Sequence, residues 1–154
     1  GQVIGMGAGQ QSRIHCTRLA CSKAEKWFLQ QDPQITGIAF APDLKKVDKT
    51  NVIDQILLYE ELSDHEKKNL MKYLVSEPRP FTSEEKRKVF FSYKDICLSS
   101  DAFIPFRDNI DRASRTNISC IAHSGEALRD DDVTKAADEY KMIMMHTGVR
   151  LFTH

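Results

Sequence analysis

The sequence predicts an α/β fold, a mostly parallel sheet interrupted by an inserted helical region, and three observations carry that prediction. Apolar runs at Ile96 to Leu98, Ile118 to Ala122 and Met142 to Met145 alternate with helical patterns, a βαβαβ signature spanning 95–154. The stretch 44–93 has a different character, rich in charge and helical in period, and reads as the insertion. The whole is 154 residues with 41% hydrophobic and 29% charged side chains, enough for one globular unit with a real core.

The elements follow in order. Gln2 to Gly7 reads as a short buried strand, and Ser12 as the cap of a helix running to about Gln30. Cys16, Ala20, Ala24, Trp27 and Phe28 fall on one side of it, with Trp27 and Phe28 as core anchors. Pro33 stops that helix, and Ile35 to Phe40 reads as a second strand ended by Pro42. In the insertion, Val52, Ile53, Ile56 and Leu57 have helical spacing. Ser63 with Glu66 and Thr82 with Glu85 form capping boxes, separated by Pro78 and Pro80. The first of those helices carries Leu70, Met71 and Leu74, the second Val89 and Phe90. Ile110 and Ala113 mark the inner side of the first crossover helix; Val133, Ala136, Ala137 and Tyr140 mark that of the second, behind the acidic turn Asp130-Asp131-Asp132. Crossovers of this length predict parallel, right-handed units, and the Met-rich last strand reads as buried filling.

Charge and composition exclude several functions. Lys plus Arg and Asp plus Glu each number 22, so no overall field draws the chain to nucleic acid or an anionic membrane. No apolar run is long enough for a bilayer span and no secretion signal opens the chain, which predicts a soluble, cytosolic segment. Cys16, Cys21, Cys97 and Cys120 form no C-x-x-C pair and read as reduced thiols. His15, Cys16 and Cys21 point in different directions on one helix, so no zinc is expected there. The chain opens on a predicted strand without Met, as a piece of a longer polypeptide would.

The stretch Gly5-Met6-Gly7-Ala8-Gly9-Gln10-Gln11-Ser12-Arg13 reads as a site more than as a packing element. Glycines let the backbone approach a ligand, and a helix start beside Arg13 favours a negative group. Its spacing matches neither the dinucleotide fingerprint nor the phosphate loop. Ligands of parallel sheets collect at the carboxyl ends of the strands, where four loops should converge: 7–13, 99–108, 122–125 and 146–150. In the second, Phe103, Pro105 and Phe106 offer an aromatic wall for a flat heterocycle, and Asp108 can accept two hydrogen bonds from an amidine-like ring edge.

Three blocks, VIGMGAGQQSRIHCTRLA at Val3 to Ala20, SSDAFIPFRDNIDR at Ser99 to Arg112 and HTGVRLFTH at the end, closely resemble AICAR transformylase. This is the carboxyl-terminal activity of the bifunctional purine-biosynthesis enzymes that also carry IMP cyclohydrolase. The resemblance runs from residue 1 to 154 and covers one subdomain of the transformylase. It implies a three-layer sandwich of cytidine-deaminase-like fold and formyl transfer from 10-formyltetrahydrofolate, as co-substrate, to the 5-amino group of AICAR ribonucleotide. It further implies a cytosolic homodimer in which the partner completes each site, with no nucleic acid or membrane partner. The zinc deaminase signature H-x-E with P-C-x-x-C is missing, so the resemblance brings no metal.

Residue by residue, the resemblance implies that Arg13, Phe103 and Arg150 contact the nucleotide, and that Ile14, Asp108, Ala127 and Leu128 lie on the folate side, the last two through backbone groups. The family's proton-handling Lys-His pair falls ahead of residue 1, so no catalytic residue is expected in this segment, and His15 reads as a buried or supporting histidine. His123-Ser124-Gly125-Glu126 carries His and Glu where relatives have Pro and a small residue. A stand-alone nucleotide- or folate-binding module without chemistry is the alternative.

Overall fold

A computed structural model describes residues 1–152, so the last two residues of the HTGVRLFTH block lie outside the described residues. The chain is mixed α/β and divides into two compact units, 1–25 with 90–154 and 26–89. The second unit therefore begins within the first helix, earlier than the insertion expected at 44–93.

The first unit holds the start of α1 (Arg13–Gln30), β1 (Ile96–Ser99), α6 (Asp108–Arg115), β2 (Ile118–His123), α7 (Asp130–Glu139) and β3 (Ile143–His146). The three strands form one parallel sheet in the order β1-β2-β3, with Leu98, Ile121 and Met144 in register. These three strands stand where the apolar runs predict them. Side chains alternate across a strand, so Leu98, Ile121 and Met144 share a face. That face joins Ile110, Ala113, Val133, Ala136 and Ala137 of the crossover helices and Cys21 of α1 in one core. On the other face Ile143 is 64% and Met145 47% exposed, so the last strand is buried filling on one side only.

Each return from helix to strand uses a left-handed residue that is not glycine. After α7, Lys141 (φ 57°) allows Met142 N–H to reach Ala137 O at 2.9 Å and Lys141 N–H to reach Asp138 O at 3.0 Å. After α6, Asn117 (φ 59°) takes the same place, its side chain donating to Tyr93 O at 2.8 Å. Tyr140, expected on the inner side of α7, instead follows its last turn, 44% exposed, and donates to Asp111 Oδ1 at 3.0 Å.

Two expected strands are absent among the described residues. Residues 2–7 belong to no strand or helix, and Val3 and Met6 are exposed. Their partner is a helix: a β-carbon at Gly5 would lie 2.1 Å from Ala20 O, and one at Gly7 1.9 Å from Cys16 O. The helix face also turns from the expected one, with Thr17, Cys21, Ala24 and Phe28 buried while Cys16 and Ala20 carry the glycine contacts.

In the second unit, the expected strand at Ile35 is helix α2 (Pro33–Thr36), because Asp32 accepts from Gln34 N–H at 2.8 Å and Pro33 is pre-set for a first helical turn. Only Phe40 pairs, in an isolated bridge with Leu74. The remaining helices are α3 (Lys46–Leu57), α4 (Asp64–Leu70) and α5 (Ser83–Ser92). Both capping boxes form: Ser63 N–H donates to Glu66 Oε2 and Thr82 N–H to Glu85 Oε2, each at 2.8 Å. Val52, Ile56, Leu57, Leu70 and Leu74 are buried at the expected spacing.

Candidate functional site

All four expected loops meet at the carboxyl edge of the sheet. The Arg13 guanidinium, at the start of α1, pairs with the Asp101 carboxylate just beyond β1. Asp101 O accepts from Leu151 N–H at 2.8 Å and Phe152 N–H at 3.0 Å, which brings in the segment after β3, and Arg13 lies 5.9 Å from the Phe152 ring centre. The loop after β2 joins through Ile104 N–H, which donates to His123 Nδ1 at 3.1 Å, and through Thr147 N–H to His123 O at 2.8 Å.

The expected site residues occupy this rim unevenly. Arg13, its side chain 23% exposed, faces a carboxylate already, so an anionic ligand must share or displace Asp101. Ile14 and Phe103 are half-buried. Arg150 is exposed and donates to Phe152 O at 3.0 Å, which places it on the same segment that meets Asp101. Asp108 opens α6, exposed, and accepts from Asn109 Nδ2 at 2.9 Å. Arg129 lies over the Phe106 ring at 5.1 Å and so draws the Ala127-Leu128 turn to the Asp108 end of the rim; Leu128 is fully exposed and Ala127 half-buried.

The glycine stretch has a dual character. Gly5 and Gly7 are glycines because the backbone packs on α1, which corrects the reading of the stretch as a site more than a packing element. Gly9 alone has φ 67° with open space around it. Ser12 does not cap α1 with its side chain: Ser12 Oγ is buried without a hydrogen-bond partner among the described residues, while its carbonyl accepts from His15 and Cys16 N–H. His15 is exposed, not buried.

Three features escaped the sequence. Thr17 Oγ1 donates to Asn109 Oδ1 at 2.8 Å in the core, fixing α1 to the start of α6. Arg112 binds Glu25 through two bonds of 2.8 and 2.9 Å, and Thr116 Oγ1 donates to the same carboxylate at 2.6 Å. No local signal marks such pairs; the polar spacing of α1 shows only that a partner is needed.

The third feature is a cluster of His123, Asp130 and His146, one ligand atom from each lying within 4.8 Å of the others. The two imidazole centres are 4.6 Å apart, edge to face. Burial, and then the neighbouring His146, holds the His123 pKa below the usual imidazole range. Asp130 Oδ2 accepts from Ala127 N–H at 3.2 Å, and His146 Nε2 is 3.4 Å from Thr134 Oγ1. None of the four cysteines is joined in a disulfide, and burial raises the pKa of Cys21. No helix among the described residues is long and apolar enough to cross a membrane. No family model matches the chain.

Proposed function

We propose that this chain forms part of the site for formyl transfer from 10-formyltetrahydrofolate to the 5-amino group of AICAR ribonucleotide, as in AICAR transformylase. The observation that carries the reading is the Arg13–Asp101 pair, which joins the glycine stretch to the Phe-Pro-Phe loop at one edge of the sheet. Two of the three blocks that carry the resemblance are thereby neighbours in space.

The acceptor is an aromatic amine whose lone pair is delocalised, so the reaction depends on orientation and proton transfer. In this reading Arg13 and Arg150 hold the nucleotide's anionic end and Phe103 lies against its ring. Asp108, with Ile14, Ala127 and Leu128, receives the folate, the carboxylate meeting the pterin's amino-pyrimidine edge. The proton-handling pair comes from polypeptide ahead of residue 1, in a cytosolic homodimer of deaminase-like sandwich fold. The exposed Ile143–Met145 face supports a further layer over this sheet, since parallel sheets are normally covered on both sides.

The test is turnover of AICAR ribonucleotide and 10-formyltetrahydrofolate by the 154-residue chain and by a form extended upstream through a Lys-His segment. The extended form turns over and the shorter chain does not; Arg13→Ala in the extended form weakens nucleotide binding about 10- to 100-fold, the loss of a charge-assisted contact. Turnover by the shorter chain contradicts the upstream assignment. Tight binding of both ligands without turnover in the extended form favours the binding module.

A further inference from the structure

His123 closes β2, His146 closes β3 and Asp130 opens α7, so three side chains able to bind a metal converge from separate elements. His123 is fully buried, and its Nε2, like Asp130 Oδ1, is a buried polar atom without a hydrogen-bond partner among the described residues. Leaving a buried imidazole N–H and a buried carboxylate oxygen unsatisfied in one cluster is costly, and a cation that displaces the Nε2 proton would bind both. We propose that His123 Nε2, Asp130 Oδ1 and His146 Nδ1 bind a divalent ion of the zinc class. Two imidazoles and one carboxylate suit a borderline ion, and three protein ligands leave a fourth position for water or a ligand atom.

The surroundings fit at two of the three ligands. Asp130 Oδ2 accepts from Ala127 N–H and lies 3.7 Å from His146 Nδ1, so the two side chains already face one another. Oδ1 has no hydrogen-bond partner among the described residues, and His146 Nε2–H can donate to Thr134 Oγ1, leaving Nδ1 as the ligand. Gly125 (φ 76°) protects that approach, because a β-carbon there would stand 2.9 Å from His146 Nδ1. At His123 the hydrogen bond from Ile104 N–H to Nδ1 sets the other tautomer, with the proton on Nε2. Loading therefore moves that proton and breaks the Ile104 bond, one neutral hydrogen bond exchanged for a metal–ligand bond. Ligand atoms around tetrahedral zinc stand about 3.3 Å apart, so the cluster contracts on loading, and exposed His146 is the member able to swing. One of the three ligands, His123, lies in the stretch where the chain departs from the transformylases, and the site does not depend on the formyl-transfer reading.

The test is titration of the 154-residue chain with Co2+, followed by visible spectroscopy, and with Zn2+, followed at the Ile104 amide by NMR. One equivalent of Co2+ gives the intense visible bands of a low-coordinate site. Asp130→Asn and His146→Ala each weaken binding about 10-fold or more, with the circular dichroism of the folded chain retained. In the wild type the Ile104 amide shifts on saturation with Zn2+, a readout that needs no variant to fold. Absence of binding, binding unchanged in Asp130→Asn and His146→Ala, or an unmoved Ile104 amide overturns the proposal.

Discussion

Gly7 and Gly9 stand two residues apart and are glycines for different reasons. A β-carbon at Gly7 meets the backbone of Cys16, which cannot give way without moving α1, whereas one at Gly9 meets open space and only the positive φ is unfavourable. Gly7→Ala should therefore cost about 2–3 kcal/mol of stability, the scale of overpacking. Gly9→Ala should cost about 1 kcal/mol, the scale of a left-handed alanine. Urea melts of both variants distinguish them, and equal losses contradict the close packing. A run of alternating glycines announces that the backbone approaches something; it does not say whether a ligand or a helix, and here the helix takes two of three. Asp111 gives a pH prediction at the same scale. Its hydrogen bonds from Arg107, and then from Tyr140, hold its carboxyl below the usual range. A lowered folded pKa stabilises above the unfolded value of about 3.9, and that contribution is lost as pH falls through the folded pKa. Asp111→Asn should thus be less stable than wild type at neutral pH, by under about 1 kcal/mol for a partly solvated pair. The difference should vanish in acid; thermal melts from neutral to strongly acidic pH check it.

Among elements, the three strands of the parallel sheet were legible because each is a short, mainly apolar run and helices of clear period separate them. The two capping boxes were legible because their chemistry is local. The strand expected from Ile35 gives way to a helix because Asp32-Pro33 is a strong and equally local helix start. Residues 2–7 failed because strand character needs a partner strand, and their pattern does not reveal that α1 is the neighbour. Lys141 was illegible as a helix end because lysine carries none of glycine's turn signal, yet the hydrogen bonds around it are those of a left-handed C-terminal cap. Lys141→Gly should relieve that conformation and raise stability by about 1 kcal/mol, read as a higher Tm. A lowered Tm contradicts the assigned backbone.

At the scale of the whole molecule, the candidate site is a property of topology. Parallel strands deliver their carboxyl ends to one edge, so residues distant in sequence, Arg13 with Asp101 and His123 with Ile104, become contacts there. The convergence of the loops after β1, β2 and β3 could be read in advance from the βαβαβ order; that of 7–13 could not, because the strand expected ahead of it does not form. Their internal partners could not, because Asp101, Asn109 and Asp130 are ordinary polar residues until the fold brings them their neighbours. The most direct measurement is an amide shift map of the chain titrated with AICAR ribonucleotide. The account predicts perturbations concentrated at Gly9 to Ile14, Asp101 to Phe103 and Arg150, with the saturable response weakened by Arg13→Ala. Perturbations confined to 26–89, or a response indifferent to Arg13→Ala, would contradict it.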